Sequence, residues 1–193
     1  MKQGIIAGLL ALIIVGCVPP DPEANLEDNL YYPLDKVLDS QEKQWETDTP
    51  ASITKTIIME DSEEVKVQTI EDAKGVLGFI EDNDLNLPAY RGLYNSTVNK
   101  AGENGKLMGK HYSLKEGEDA PVRLLNIYYY PDRKDSLAGI AGFRETFNPL
   151  YYTYQITTAR FSDGRLRQAK ILNRQKILLF SPTEFTVKLD IEY

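Results

Sequence analysis

The chain has 193 residues, of which 42% are hydrophobic, a formal net charge of −7 and one cysteine. That length suits one ordinary domain with a sizeable core. A single cysteine excludes an intramolecular disulfide, and no basic cluster with interleaved aromatics is present, so nucleic acid is excluded as a partner.

The first residues read as an export signal. Lys2 gives a positive start and Ile5 to Val15 form a nearly unbroken apolar run. A secretory signal needs an apolar core of roughly 7–15 residues, whereas a spanning helix needs roughly 20, so this run is too short to span. It ends in Ile14-Val15-Gly16-Cys17, which resembles the lipobox of bacterial lipoproteins. The resemblance implies cleavage before Cys17 and lipidation of its sulfur and new amino group, with enough buried methylenes to anchor firmly. Residues 1–16 are then the signal peptide and residues 17–33 a lipidated cysteine followed by a proline- and acid-rich tether. Chain of that composition extends at roughly 3.1 Å per residue, so the domain over 34–193 stands up to roughly 45 Å from the membrane. Val18, not Asp, follows the cysteine; by resemblance to enterobacterial sorting rules this points to the outer membrane.

Charge is unevenly spread. Residues 21–84 hold 18 acids and 5 bases, and residues 85–193 hold 11 acids and 16 bases. Leu34, Val37, Leu38, Gln41 and Trp45 recur at helical spacing, with Pro33 in the first turn and Pro50 preventing continuation. Trp45 reads as a packing residue under a sheet. The β-branched run 53–59, the acidic turn 60–63 and the alternating stretch 65–69 read as a hairpin. Helical spacing returns over 70–84 through Ile70, Ala73, Leu77 and Ile80, opened by a Thr69–Asp72 capping pair. Gly75 and Gly78 weaken that helix and are expected to let it approach the sheet closely.

From Tyr90 onward the pattern is strand and turn. Strands are expected over 91–98, 107–114, 122–130, 137–147, 150–161, 165–180 and 183–192, separated by turn residues such as Asn104-Gly105, Asn148-Pro149 and Ser181-Pro182. Asp163-Gly164 is the strongest two-residue hairpin signal. The expected fold is α+β: a curved antiparallel meander of roughly 7–9 strands, with two helices from the N-terminal half packed on one face.

The helix end Phe79-Ile-Glu-Asp-Asn-Asp-Leu-Asn-Leu-Pro-Ala-Tyr90, and the meander from Asn148 through Lys176-Ile-Leu-Leu-Phe180, resemble an uncharacterised family of small lipoproteins from Bacteroidota. The resemblance implies lineage and architecture; it carries no activity and no functional residues.

Chemical constellations are sparse. His111 is the only histidine, the sole cysteine is assigned to lipid, and no Gly-x-Ser-x-Gly presents a nucleophile, so neither a metal nor a triad is supported. Asp82, Asp84 and Asn86 imitate the start of an EF-hand loop, but Leu87 and Leu93 replace the required Gly and Glu. Glu60, Asp61, Glu63 and Glu64 crowd one turn and read as solubilising acids. No catalytic residue, metal or cofactor is assigned.

Tyrosine is abundant, and Tyr128, Tyr130, Tyr152 and Tyr154 are candidates to face a ligand, against the plainer reading that tyrosine is a good strand residue. Asp135-Ser136-Leu137 resembles the site that Bacteroidota O-glycosylate on exported proteins, which marks Ser136. The function expected is a lipid-anchored, non-enzymatic binding or accessory module of the cell envelope, with the membrane as one partner and an envelope protein, glycan or lipid as another. The second reading is a carrier or sensor resembling the LolA-like half-barrels, holding an apolar ligand between sheet and helices beside Leu77, Ile80, Leu125 and Ile127.

Overall fold

The computed structural model describes residues 31–60, 62–102, 105–133 and 137–193. Cys17, the tether up to residue 30 and Ser136 lie outside the described residues. Helix α1 (Leu34–Thr47) buries Leu34, Leu38, Gln41 and Trp45, the stripe that the spacing predicts. Pro33 sits one position earlier than expected, at the cap. The Trp45 indole is fully buried and its Nε1 donates to the Tyr193 hydroxyl at 2.8 Å.

Helix α2 (Ile70–Glu81) opens on the Thr69–Asp72 capping box. Hydrogen bonds from Thr69 hold the Asp72 carboxyl below its usual range. The helix stops three residues short of the predicted end, because Asn83 turns its side chain back onto the carbonyls of Phe79 and Ile80. Its glycines are not close-approach points. A Cβ at Gly75 or Gly78 would meet nothing within 4 Å. Each glycine therefore only costs helix propensity, about 1 kcal/mol relative to alanine. The double variant Gly75→Ala/Gly78→Ala should be more stable by about 1–2 kcal/mol, a rise of roughly 2–8 °C in Tm read by thermal unfolding.

Among the described residues nine strands form one curved antiparallel sheet: β1 (Ser52–Met59), β2 (Ser62–Val67), β3 (Tyr94–Ala101), β4 (Leu107–Leu114), β5 (Val122–Tyr129), β6 (Leu137–Phe147), β7 (Tyr151–Ser162), β8 (Arg165–Ile177) and β9 (Thr183–Glu192). Their order is β2-β1-β9-β8-β7-β6-β5-β4-β3. Strands β3 to β9 are the expected meander, and the β1–β2 hairpin adds beside β9. The segment carrying α2 then crosses one face from the β2 edge to the β3 edge. Strand β3 starts three residues later than predicted. Pro88–Tyr90 forms a 3-10 turn and Gly92 takes a φ of 76°, so the chain is still turning there. The Asp163-Gly164 turn forms as expected, both residues having positive φ.

Both helices pack on the same face. Ala73, Val76, Leu77 and Ile80 of α2 meet inward residues of the strands, among them Leu125, Ile127, Ala169, Ile171 and Leu189, in one core. Polar groups tie the layers together. Gln41 donates from Nε2 to the Gly164 carbonyl at 2.7 Å and accepts from the Leu166 amide at 2.7 Å, and Asp48 pairs with Arg165. The lower end of α1 is thus fixed to the β7–β8 turn.

Strand directions define two ends. At the top lie the β1–β2, β6–β7 and β8–β9 turns and the entries into β3 and β5; at the bottom lie the β3–β4, β5–β6 and β7–β8 turns. The described chain enters at the top. The Tyr31 amide donates to Asn86 Oδ1 at 3.1 Å, and its ring stands edge-on to Tyr94 and Tyr112. Tyr94, the first residue of β3, donates its amide to the Tyr31 hydroxyl.

Candidate binding surface

Side chains alternate across a sheet, so covering one face with helices leaves the other face to water. On that uncovered face, strand register lines up Leu172 of β8, Ile156 of β7, Phe143 of β6 and Leu124 of β5 in one cross-strand row. Ile156 and Leu124 are exposed, at 40% and 37%. A solvated face would carry polar residues here; four large apolar side chains in adjacent strands form a contiguous patch instead.

The row above it is polar and aromatic: Arg174, Tyr154 and Glu145 are opposite one another on β8, β7 and β6. The next row up holds Lys176, Tyr152 and Phe147. Tyr154 packs on Phe143 with centroids 6.4 Å apart and on Tyr152 at 6.2 Å. Glu145 is held from two sides. The Tyr152 hydroxyl donates to its Oε1 at 2.8 Å, and Arg123 Nε lies 3.4 Å from its Oε2. That hydrogen bond to a carboxylate raises the pKa of Tyr152.

Two of the four predicted tyrosines therefore meet. Tyr128 is on the same face but level with Gly139, six residues below Glu145 along β6. At about 3.4 Å per residue this is roughly 20 Å away. Its ring lies against Gly109 and Gly139 of the flanking strands, so it fills space that two missing side chains leave open. Tyr130 lies beyond the end of β5, with the Arg133 guanidinium 5.7 Å from its ring centroid.

His111 Nδ1 is 2.8 Å from Asn126 Oδ1 and its ring is edge-on to Tyr128, a structural setting. Asp82 pairs with Arg144 at 2.7 Å, and Asp84 Oδ1 accepts from the Asn86 amide and side chain. Among the described residues no group of three His, Cys, Asp or Glu is placed to hold a metal.

Sequence reasoning missed Phe143, Ile156, Leu172 and Leu124 because the row exists only once four strands are in register. It also missed a cluster at the top. Strands β6, β7 and β8 rise above the core there: Gln155 is the uppermost buried residue of β7, and β8 is exposed from Arg174 onward. The β6–β7 turn presents Phe147 and Leu150, and the β8–β9 turn presents Leu178, Leu179 and Phe180, all exposed. The Leu178 amide donates to the Leu150 carbonyl at 2.8 Å, joining the two turns. Beside them an open cleft of about 410 Å³ is lined by Gln175, Ile177, Phe180, Ser181 and Thr183. No family model, curated protein or solved structure matches the chain.

Proposed function

We propose that this is an acyl-anchored protein of the bacterial cell envelope, most simply of the outer membrane, that acts without catalysis by presenting its uncovered sheet face to another envelope component. The observation that carries the reading is the Leu172–Ile156–Phe143–Leu124 row with Tyr152 and Tyr154 above it, an apolar and aromatic strip on a face that no part of the described chain covers. Close packing inside supports a surface role over a carrier role. Ile80, Leu125 and Ile127 are fully buried and Leu77 is 2% exposed, so these side chains leave no room beside them for water, far less for an acyl chain.

The face is tested by affinity purification from the native envelope, comparing the wild type with Ile156→Asp. The wild type should recover a component that Ile156→Asp loses while unfolding at a similar temperature. Identical recovery by both would remove the face from the proposal. The anchor is tested by metabolic labelling with an alkynyl fatty acid. Cys17→Ser should carry no label and should leave the membrane fraction, whereas label retained in the variant would place the lipid elsewhere.

A further inference from the structure

We propose that the apolar top of the sheet, the paired turns around Leu150 and Leu179, inserts into the surface of the lipid bilayer beside the acyl anchor. The inference rests on the anchored reading above and adds a second membrane contact to it.

Composition is the first support. From Phe147 to Tyr151 and from Ile177 to Thr183 the chain carries no charged residue, and Phe147, Leu150, Leu178, Leu179 and Phe180 all face outward. Leu179 is the sharpest case. The Phe180 amide bonds back to the Ile177 carbonyl, closing a turn in which Leu179 takes a φ of 71°. Glycine or asparagine is the favoured residue at such a position, and a leucine there costs of order 1–2 kcal/mol. Its side chain is 95% exposed, so packing within the protein does not offset that cost. An apolar environment outside the protein does.

Layering is the second support. Below Leu150, Leu178, Leu179 and Phe180 comes a mixed band in which Phe147 and Tyr152 are level with Lys176, and Tyr154 is level with Arg174 and Glu145. An apolar tip followed by tyrosines interleaved with charge is the order in which a bilayer surface passes from hydrocarbon to the interface, where aromatic rings and basic side chains gather. A patch built for a protein partner has no need of that sequence along one axis. The acidic β1–β2 turn is also at the top, with β9 between it and β8, and anionic lipid repels it. The contact is therefore driven by apolar insertion, with the molecule tilted onto its β6–β8 side.

Placement is the third. Tyr31, fourteen residues after Cys17, enters the fold at this same end, against Tyr94 and Tyr112. A chain anchored at Cys17 thus has the tip at the end where its tether joins the fold, within reach of the bilayer.

The test uses the full chain, processed in a bacterial host and reconstituted into phosphatidylethanolamine–phosphatidylglycerol vesicles. Cys17 is the only native cysteine, so Leu179→Cys offers one free thiol for an environment-sensitive fluorophore when Cys17 carries lipid. Ser162→Cys, exposed at the bottom of β7, is the reference. The Leu179 label should shift to the blue, brighten several-fold and be quenched by lipids brominated on their acyl chains; the Ser162 label should do none of these. Adding Phe180→Asp to the Leu179→Cys chain should abolish the quenching, with circular dichroism unchanged. Equal emission from both labels overturns the proposal. So does a Leu179 label that stays in water in pure vesicles and is shielded only in native envelopes, which would assign the tip to a protein. Failure of the anchor reads out separately: intact mass then shows no acyl chains and two labels per Leu179→Cys chain. The tip is still tested in that case with Leu179→Cys on a Cys17→Ser background, whose single label must shift to the blue when vesicles are added.

Discussion

Replacing Leu77 by alanine is expected to cost about 2–5 kcal/mol of folding stability, the range that truncated core leucines show. Leu77 lies on the buried stripe of α2, is 2% exposed and packs in the same cluster as Leu125, Ile127 and Ile171. Its removal leaves a void that rigid neighbours on a nine-stranded sheet only partly close. Denaturant unfolding monitored at Trp45, the only tryptophan, reads the loss directly. The same measurement bears on function. If helices and sheet enclosed an apolar ligand, Leu77 would be lining and not filling, and the change would cost little while altering what co-purifies.

The second large effect is expected at Gly142, in the middle of β6 on the helix-covered face. A Cβ there would meet Asn83 Oδ1 at 2.2 Å and its Cγ at 2.6 Å. Asn83 is fully buried and has little freedom to withdraw, because its Nδ2 donates to the carbonyls of Phe79 and Ile80 at the end of α2. Gly142→Ala should therefore cost about 1–3 kcal/mol or more, as overpacking does. The mechanism has its own signature. In an Asn83→Ala background the obstacle is gone, so the glycine substitution should cost much less than in the wild type. A double-mutant cycle showing additive losses would mean that the strand, and not Asn83, demands glycine.

The architecture was legible in the sequence because its signals are local. The Thr69–Asp72 pair, the stripe from Leu34 to Trp45 and the Asp163-Gly164 turn each involve residues a few positions apart, and each appears in the fold as read. Errors fall where one local signal overrode another. Strand propensity in Leu178, Leu179 and Phe180 predicted a β8 running to residue 180, but the turn closed by Phe180 and Ile177 ends it at Ile177. Gly75 and Gly78 suggested close packing on sequence grounds, and in the fold they face open space.

The binding surface was legible only in part, for a physical reason. Tyr152 and Tyr154 share a face by alternation alone, which one strand suffices to show. Joining them to Phe143 and Leu172 requires the registers of β6, β7 and β8, and separating them from Tyr128 requires the same registers. Alternation says which face a residue takes and nothing about its height. The tip was missed for a different reason: Leu178, Leu179 and Phe180 read as the end of a strand, and nothing in their spacing says that β8 runs on above the core.

The pairing of β1 with β9 has a consequence for how the molecule is made. Ser52 and Glu192 are partners 140 positions apart, and the hydroxyl of Ser52 bonds to the carboxylate of Glu192. Synthesis delivers the N-terminal elements first. The β1–β2 hairpin therefore emerges long before the strand that holds it to the sheet, and Trp45 waits just as long for Tyr193. Closing so long a loop costs only a little more entropy than closing a short one, but non-local pairing is slow. Until β9 arrives, Ile53 and Ile57 have no strand to join them to the sheet, although Gln41 of α1 can already reach Gly164 and Leu166. Folding that begins at the N-terminus cannot finish there, because the strand that completes it is the last to be made.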